Sequence, residues 1–162
     1  MSDHQELFNE PGTTGLDGVV VRNLMPDDLE AVVRIDARLT GESRRAFFAK
    51  KLDEVRWDTG LAISLAAELD DTFAGFLLGR LYYGEFGLPE ATAIIDTIGV
   101  EPALKGRQVG RALLHQLRTN LRALGIESIR TEVDWTQLDL LGFLQREGFT
   151  PAPSVCLESR LG

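Results

Sequence analysis

Ile98-Gly99-Val100-Glu101-Pro102-Ala103-Leu104-Lys105-Gly106-Arg107-Gln108-Val109-Gly110-Arg111-Ala112-Leu113-Leu114 is the stretch whose reading decides the fold of this chain. A strand runs to Val100, and Pro102, which has no N–H to donate, keeps it from continuing inside a sheet. A short basic loop follows, and a helix begins near Val109. A helix N-terminus presents free backbone N–H groups and a positive dipole end. Gly106 and Gly110 remove side chains that would obstruct an approaching ligand. Lys105, Arg107 and Arg111 concentrate positive charge in an otherwise acidic chain. Together the loop and the helix start read as an anion cradle suited to a pyrophosphate. The Gly-Lys-Ser/Thr ending of a P-loop is absent, and the glycine spacing differs from the dinucleotide fingerprint.

Working outward, Val109, Leu113, Leu117, Leu121 and Leu124 share one face of a helix that Gly125 stops. Upstream, Ala93 to Val100 is a strand. Leu61 to Glu68 and Phe73 to Leu81 form a hairpin across Asp70-Asp71. Val19-Val20-Val21 is a first strand. A helix from Pro26 to Gly41 and a second from Ser43 to Val55 follow it. Downstream, Ile129 to Val133 is a strand, Leu138 to Arg146 a short helix ended by Gly148, and Val155 to Leu161 a last strand. The order β-α-α-β-β-β-α-β-α-β predicts an α/β (α+β) architecture, a mixed sheet flanked by helices.

The 162 residues suit one domain. Residues 1–17 lack a hydrophobic period and read as a loose N-terminal arm, with 18–162 as a single domain. An apolar fraction of 44 % is enough for one buried core, and 26 % charged residues argue against wholesale disorder. Formal net charge is −8, which opposes nucleic-acid phosphates. No apolar run is long enough to span a bilayer, and the acidic, polar start has no secretory character, so a cytoplasmic protein is expected. One cysteine, Cys156, permits no internal disulfide, and with two histidines, His4 and His115, no metal site is expected.

The run Val100 to Leu114 resembles the coenzyme A signature of the GNAT superfamily of N-acetyltransferases. Lys105 stands at that signature's Arg/Gln position, Gln108 at its first Gly and Gly110 at its second. Ala67 to Phe76 resembles the family's second hairpin. Phe143-Leu144-Gln145-Arg146-Glu147-Gly148-Phe149 resembles its C-terminal helix ending, and Val19 to Leu39 its opening strand and helix.

The resemblance implies a GNAT-like fold with two splayed parallel strands and acetyl-CoA bound between them as co-substrate. The pantetheine arm would meet the stretch Ile98, Gly99 and Val100, pairing with the backbone of Ile98 and Val100. The pyrophosphate would meet Lys105, Gly106, Arg107, Gln108, Val109, Gly110, Arg111 and Ala112. The reaction implied is attack of a primary amine, on a small molecule or a protein, on the acetyl thioester. An amine is mostly protonated at neutral pH, so a base is needed. Asp96 stands at the position of the family's strand carboxylate, and alternation places it on the face of Ile94 and Ile98. An ion-paired structural carboxylate is an equal reading of Asp96.

The family's thiol-protonating Tyr is Leu144 here, leaving water, Tyr82 or Tyr83 for that role. A non-catalytic acetyl-CoA-binding module is the alternative. Arg44, Glu85 and Trp135 are candidate acceptor-binding residues, each with a plainer reading as a solvated or packed side chain. His115 and Cys156 carry no expected role in catalysis. A homodimer stays open, because family relatives are often dimers.

Overall fold

The computed structural model describes residues 18–57, 63–84, 87 and 89–162. The proposed N-terminal arm, Glu85 and the first residues of the strand expected from Leu61 lie outside them. Nine elements follow in order: β1 (Val20–Asn23), α1 (Leu29–Thr40), α2 (Arg45–Trp57), β2 (Leu65–Leu69), β3 (Thr72–Tyr82), β4 (Thr92–Val100), α3 (Val109–Ala123), β5 (Ser128–Thr131) and α4 (Leu138–Arg146). Short 3-10 turns at Pro26–Asp28 and Pro102–Leu104 lead into α1 and out of β4.

The sheet runs β1-β2-β3-β4-β5. Its first three pairings are antiparallel and β4 with β5 is parallel. The β2–β3 hairpin turns on Asp70 and Asp71, with φ of 50° and 58°. Two positive φ values at the centre of a two-residue loop match the twist of the flanking strands, and Asp is among the residues that tolerate them.

Two apolar layers sandwich the sheet. Val32, Val33, Ile35, Phe48 and Leu52 of α1 and α2 pack on Ala66, Phe76 and Leu78. On the other face Val109, Leu113, Leu117 and Leu121 of α3, joined by Leu144 of α4, pack on Leu65, Ala67, Leu77, Ala93 and Ile95. The stripe foreseen on α3 is thus the one that is buried.

One expected element is missing. Residues 155–161 form no strand and are exposed. Their alternating pattern is real, but a strand needs a neighbour to satisfy its backbone, and none of the described strands pairs with them.

Candidate functional site

The fold opens at β4. Thr92 to Ile95 pairs with Ser128 to Thr131, and there the pairing ends. Thr131 Oγ1 donates to the Ile95 carbonyl at 2.9 Å, closing the paired portion. β4 continues to Val100 with β3 still alongside, Val100 opposite Gly75. From Asp96 onward, therefore, β4 has a strand partner on one side only, and the two parallel strands have parted.

The parting coincides with a β-bulge. Thr97 lies opposite Leu78 and Ile95 opposite Gly79, so Asp96 is the extra residue. Such an insertion reverses the alternation of side chains beyond it. Ahead of it Ala93 and Ile95 belong to the core beneath α3; after it Ile98 and Val100 do. The expectation that Asp96 shares a face with Ile98 is therefore corrected. Asp96 turns to the α2 side, where its carboxylate lies 3.2 Å from Arg80 Nη2 and 3.7 Å from Lys51 Nζ. The Arg80 guanidinium also stacks over Tyr82.

Neither Lys51 nor Arg80 was foreseen. Arg80 had a signal, as a charge within the apolar run Phe73 to Leu81; Lys51 had none.

Gly99 is explained by packing. A Cβ there would stand 2.7 Å from Phe76 Cε1, so only glycine leaves room for the ring of its directly opposite partner on β3. Glu101 ties down the strand end. Its N–H donates to the Ala74 carbonyl at 2.8 Å, and its carboxylate accepts from Arg38 Nη1 at 2.6 Å.

The loop then turns into α3. Gly106 has a φ of 84° with no atom near its Cβ position, so its backbone requires glycine while the space above it is open. Gln108, the residue before α3, has φ 65° and ψ 13°, the left-handed region that side chains disfavour. This is the physical reason the signature carries glycine at that place. Gln108 is exposed and provides no side-chain cap to α3. The N–H groups of the first turn, Val109 to Arg111, thus have no cap from that side chain and no intrahelical acceptor. Ala112 N–H donates back to the Gln108 carbonyl at 2.9 Å and starts the helix ladder.

Gly110 serves a different end from the one expected. Its Cβ position lies 3.0 Å from Phe143 Cζ, so the missing side chain admits α4 rather than a ligand. The basic residues spread out from the helix start. Lys105 Nζ lies 3.3 Å from Asp139, and Arg111 Nε 3.9 Å from Glu147. Both cations are exposed, and such contacts are weak in water. Arg107 is exposed.

The remaining candidates scatter. Arg44 forms a two-pronged pair with the buried Asp36, Nε to Oδ2 at 2.8 Å and Nη2 to Oδ1 at 2.5 Å. It also lies over the rings of Phe47 and Phe48. The hydrogen bonds that Arg44 donates to Asp36 raise the guanidinium's pKa further and hold it charged. Trp135 is 85 % exposed, following β5 in a turn where Thr136 donates to Asp134; it is not part of the core. Those hydrogen bonds lower the Asp134 pKa. Leu144 is buried under the sheet with no hydroxyl to offer. Tyr83, His115 and Cys156 are exposed.

Among the described residues no group of three or more His, Cys, Asp or Glu could hold a metal, and no helix is long and apolar enough to cross a membrane.

Comparison with known proteins gives this geometry a context. The sequence model of the acetyltransferase (GNAT) family matches residues 30–149. No curated protein matches the chain. An aminoglycoside N-acetyltransferase solved in complex with CoA superposes with a TM-score of 0.73 at 16 % identity, over 89 % of this chain and 95 % of that one. A ribosomal-protein-alanine N-acetyltransferase from Brucella melitensis biovar Abortus 2308 gives 0.70 at 16 % identity, over 89 % and 99 %. A transcriptional regulator from Bacillus halodurans C-125 gives 0.71 at 19 % identity, over 88 % and 99 %. At these identities the likeness is one of fold.

Proposed function

Because the chain belongs to the acetyltransferase (GNAT) family, we propose that it transfers the acetyl group of acetyl-CoA to a primary amine by direct attack. The observation that carries this reading is the parting of β4 and β5 after Ile95, beside a helix start that its preceding side chain leaves uncapped. A strand edge without a neighbour offers N–H and C=O groups to a pantetheine amide, here from Ile98 and Val100. The first-turn N–H groups of α3, with Lys105, Gly106, Arg107 and Arg111 around them, suit a pyrophosphate. Because most of these donors are main-chain, Lys105 and Gln108 can depart from the family's signature without removing the cradle.

The amine nitrogen attacks the thioester carbonyl, the C–S bond breaks and the coenzyme leaves as a thiolate. The acceptor enters largely as an ammonium and must lose a proton first. Asp96 is the base in this reading, since the bulge places it where the strands part. Its contacts to Lys51 and Arg80 hold the carboxylate in place while leaving oxygen lone pairs for the ammonium. After attack the nitrogen still carries one proton too many; Leu144 has no group to relay it, so water takes that proton as the C–S bond breaks and returns one to the thiolate.

A second reading, an acetyl-CoA-binding module without turnover, draws on the same two facts: Asp96 is already paired, and Leu144 is apolar. Calorimetry with acetyl-CoA and a thiol-release assay over an amine panel separate the readings. Saturable binding with thiol release that depends on one amine class supports transfer. Binding without release across small amines, amino acids and peptides supports the module. No binding at millimolar coenzyme removes both. The candidate acceptor groups are Trp135 and Glu85; Arg44 is already engaged by Asp36.

A further inference from the structure

The charges around Asp96 decide what kind of amine can reach it. Its carboxylate lies 3.2 Å from Arg80 Nη2 and 3.7 Å from Lys51 Nζ. Lys51 is shared with Glu54 at 3.6 Å, whereas Arg80 has no second acidic partner among the described residues. An ammonium brought alone to Asp96 would stand beside two cations, and like charges at this range repel. An ammonium that carries its own anion escapes that penalty, because the anion turns to the cations while the nitrogen turns to Asp96.

Arg80 is arranged to receive such an anion. Arg22 and Arg44 close their forks on Asp28 and Asp36, each through two hydrogen bonds. Arg80 meets Asp96 as an ion contact only, and no described residue accepts a hydrogen bond from its N–H groups. Arg80 and Tyr82 stand two apart on β3 and so share a face of the sheet. The guanidinium carbon lies 4.9 Å from the centre of the Tyr82 ring. Stacking steadies the plane of the guanidinium, whose N–H groups point outward within that plane. With its side chain 46 % exposed, the fork is open to a ligand. Such a fork matches a carboxylate or a phosphonate with two parallel hydrogen bonds.

The contact between Arg80 and Asp96 also limits the size of the acceptor. Two groups 3.2 Å apart can hold only neighbouring parts of one molecule. With hydrogen bonds of about 2.9 Å to each, the amine and the anion must be close together. In an α-amino acid the nitrogen and the nearer carboxylate oxygen are about 3 Å apart. We infer that the acceptor is a free α-amino acid, or an amine with another anionic group one carbon away, its nitrogen on Asp96 and its anion on the fork of Arg80. This rests on the transfer reading above and adds the substrate class. A lysine side chain of a protein or a polycationic amine carries no such anion.

Thiol release from acetyl-CoA by the full chain tests this with matched acceptors: L-amino acids, the amines left when their carboxylates are removed, and the corresponding α-aminophosphonates. The expected kcat/KM for the acids or the phosphonates is about 10- to 100-fold above that for the matched amines, carried mainly by KM. The better of the two anions identifies the group on the fork. Arg80→Gln should bring the ratio of acid to amine close to one. Arg80→Lys, which keeps the charge and loses the fork, should restore only part of it. Amines turned over as well as the acids overturn the inference and leave the transfer reading standing. So does a ratio that Arg80→Gln leaves unaltered. If no acceptor releases thiol, calorimetric titration of the same amino acids in the presence of coenzyme A reads the fork without turnover. Heat that Arg80→Gln abolishes then supports the fork while the transfer reading falls, and no heat overturns both.

Discussion

The ring of Phe143 fills the space that a side chain at Gly110 would occupy, its Cζ 3.0 Å from the Cβ position. This contact, rather than coenzyme access, accounts for the second glycine of the signature here. Gly110→Val should therefore destabilise the protein by about 1–3 kcal/mol through overpacking. Combining it with Phe143→Ala should recover part of that loss. Urea unfolding of the two single variants and the double variant measures the coupling. Strict additivity would show that the ring and the glycine do not meet.

Asp96 sits at the bulge between Lys51 and Arg80. If it takes the amine proton, Asp96→Asn should lower kcat by about 10²–10³-fold with little change in the KM for acetyl-CoA. The loss should shrink at alkaline pH, where more acceptor is already neutral. Steady-state thiol release across pH reads both effects. A kcat within about threefold of the parent would assign Asp96 to structure alone.

Gln108 holds a left-handed backbone at φ 65°. That conformation costs a side-chain-bearing residue about 1–2 kcal/mol, and glycine avoids it at some entropic cost in the unfolded chain. Gln108→Gly should gain about 0.5 kcal/mol net, while Gln108→Val should lose at least about 1 kcal/mol, since a β-branched residue tolerates the region worst. Thermal unfolding of both variants decides it. Equal midpoints for Val and Gln would mean that the loop relaxes freely.

The Asp36–Arg44 pair is uneven, with side chains 3 % and 41 % exposed. Removing Arg44 strands a buried carboxylate, whereas removing Asp36 leaves a guanidinium that water can reach. Arg44→Met should cost about 3 kcal/mol, and Asp36→Leu distinctly less, about 1 kcal/mol. The reverse order in denaturant unfolding would contradict the burial of Asp36.

How much of this was legible in the sequence depends on the range of the forces involved. Leu138 to Arg146 is helical over the residues its apolar spacing marked, and the Asp70-Asp71 turn joins the hairpin it was expected to join. Both are written locally, in spacing and in turn chemistry. The bulge at Asp96 was not legible, because one unpaired residue leaves no compositional trace and the strand on either side looks regular. The same holds for Arg44, whose partner Asp36 lies on the neighbouring helix. Trp135 was expected to pack or to line a pocket, and it stands in solvent. The tail shows the limit from the other direction. Its alternation was visible, but a period names a kind of neighbour without providing one.

The single surplus residue in β4 works as a phase shift in the chain. Upstream of it, odd-numbered side chains feed the layer under α3; downstream, even-numbered ones do. Excising position 96 would leave Ile98 and Val100 under α3 and Gly99 opposite Phe76, because Thr97 would then follow Ile95 just as Leu78 precedes Gly79. What would vanish is the carboxylate between Lys51 and Arg80, so the surplus residue adds an acidic group where the strands separate without changing the faces on either side of it.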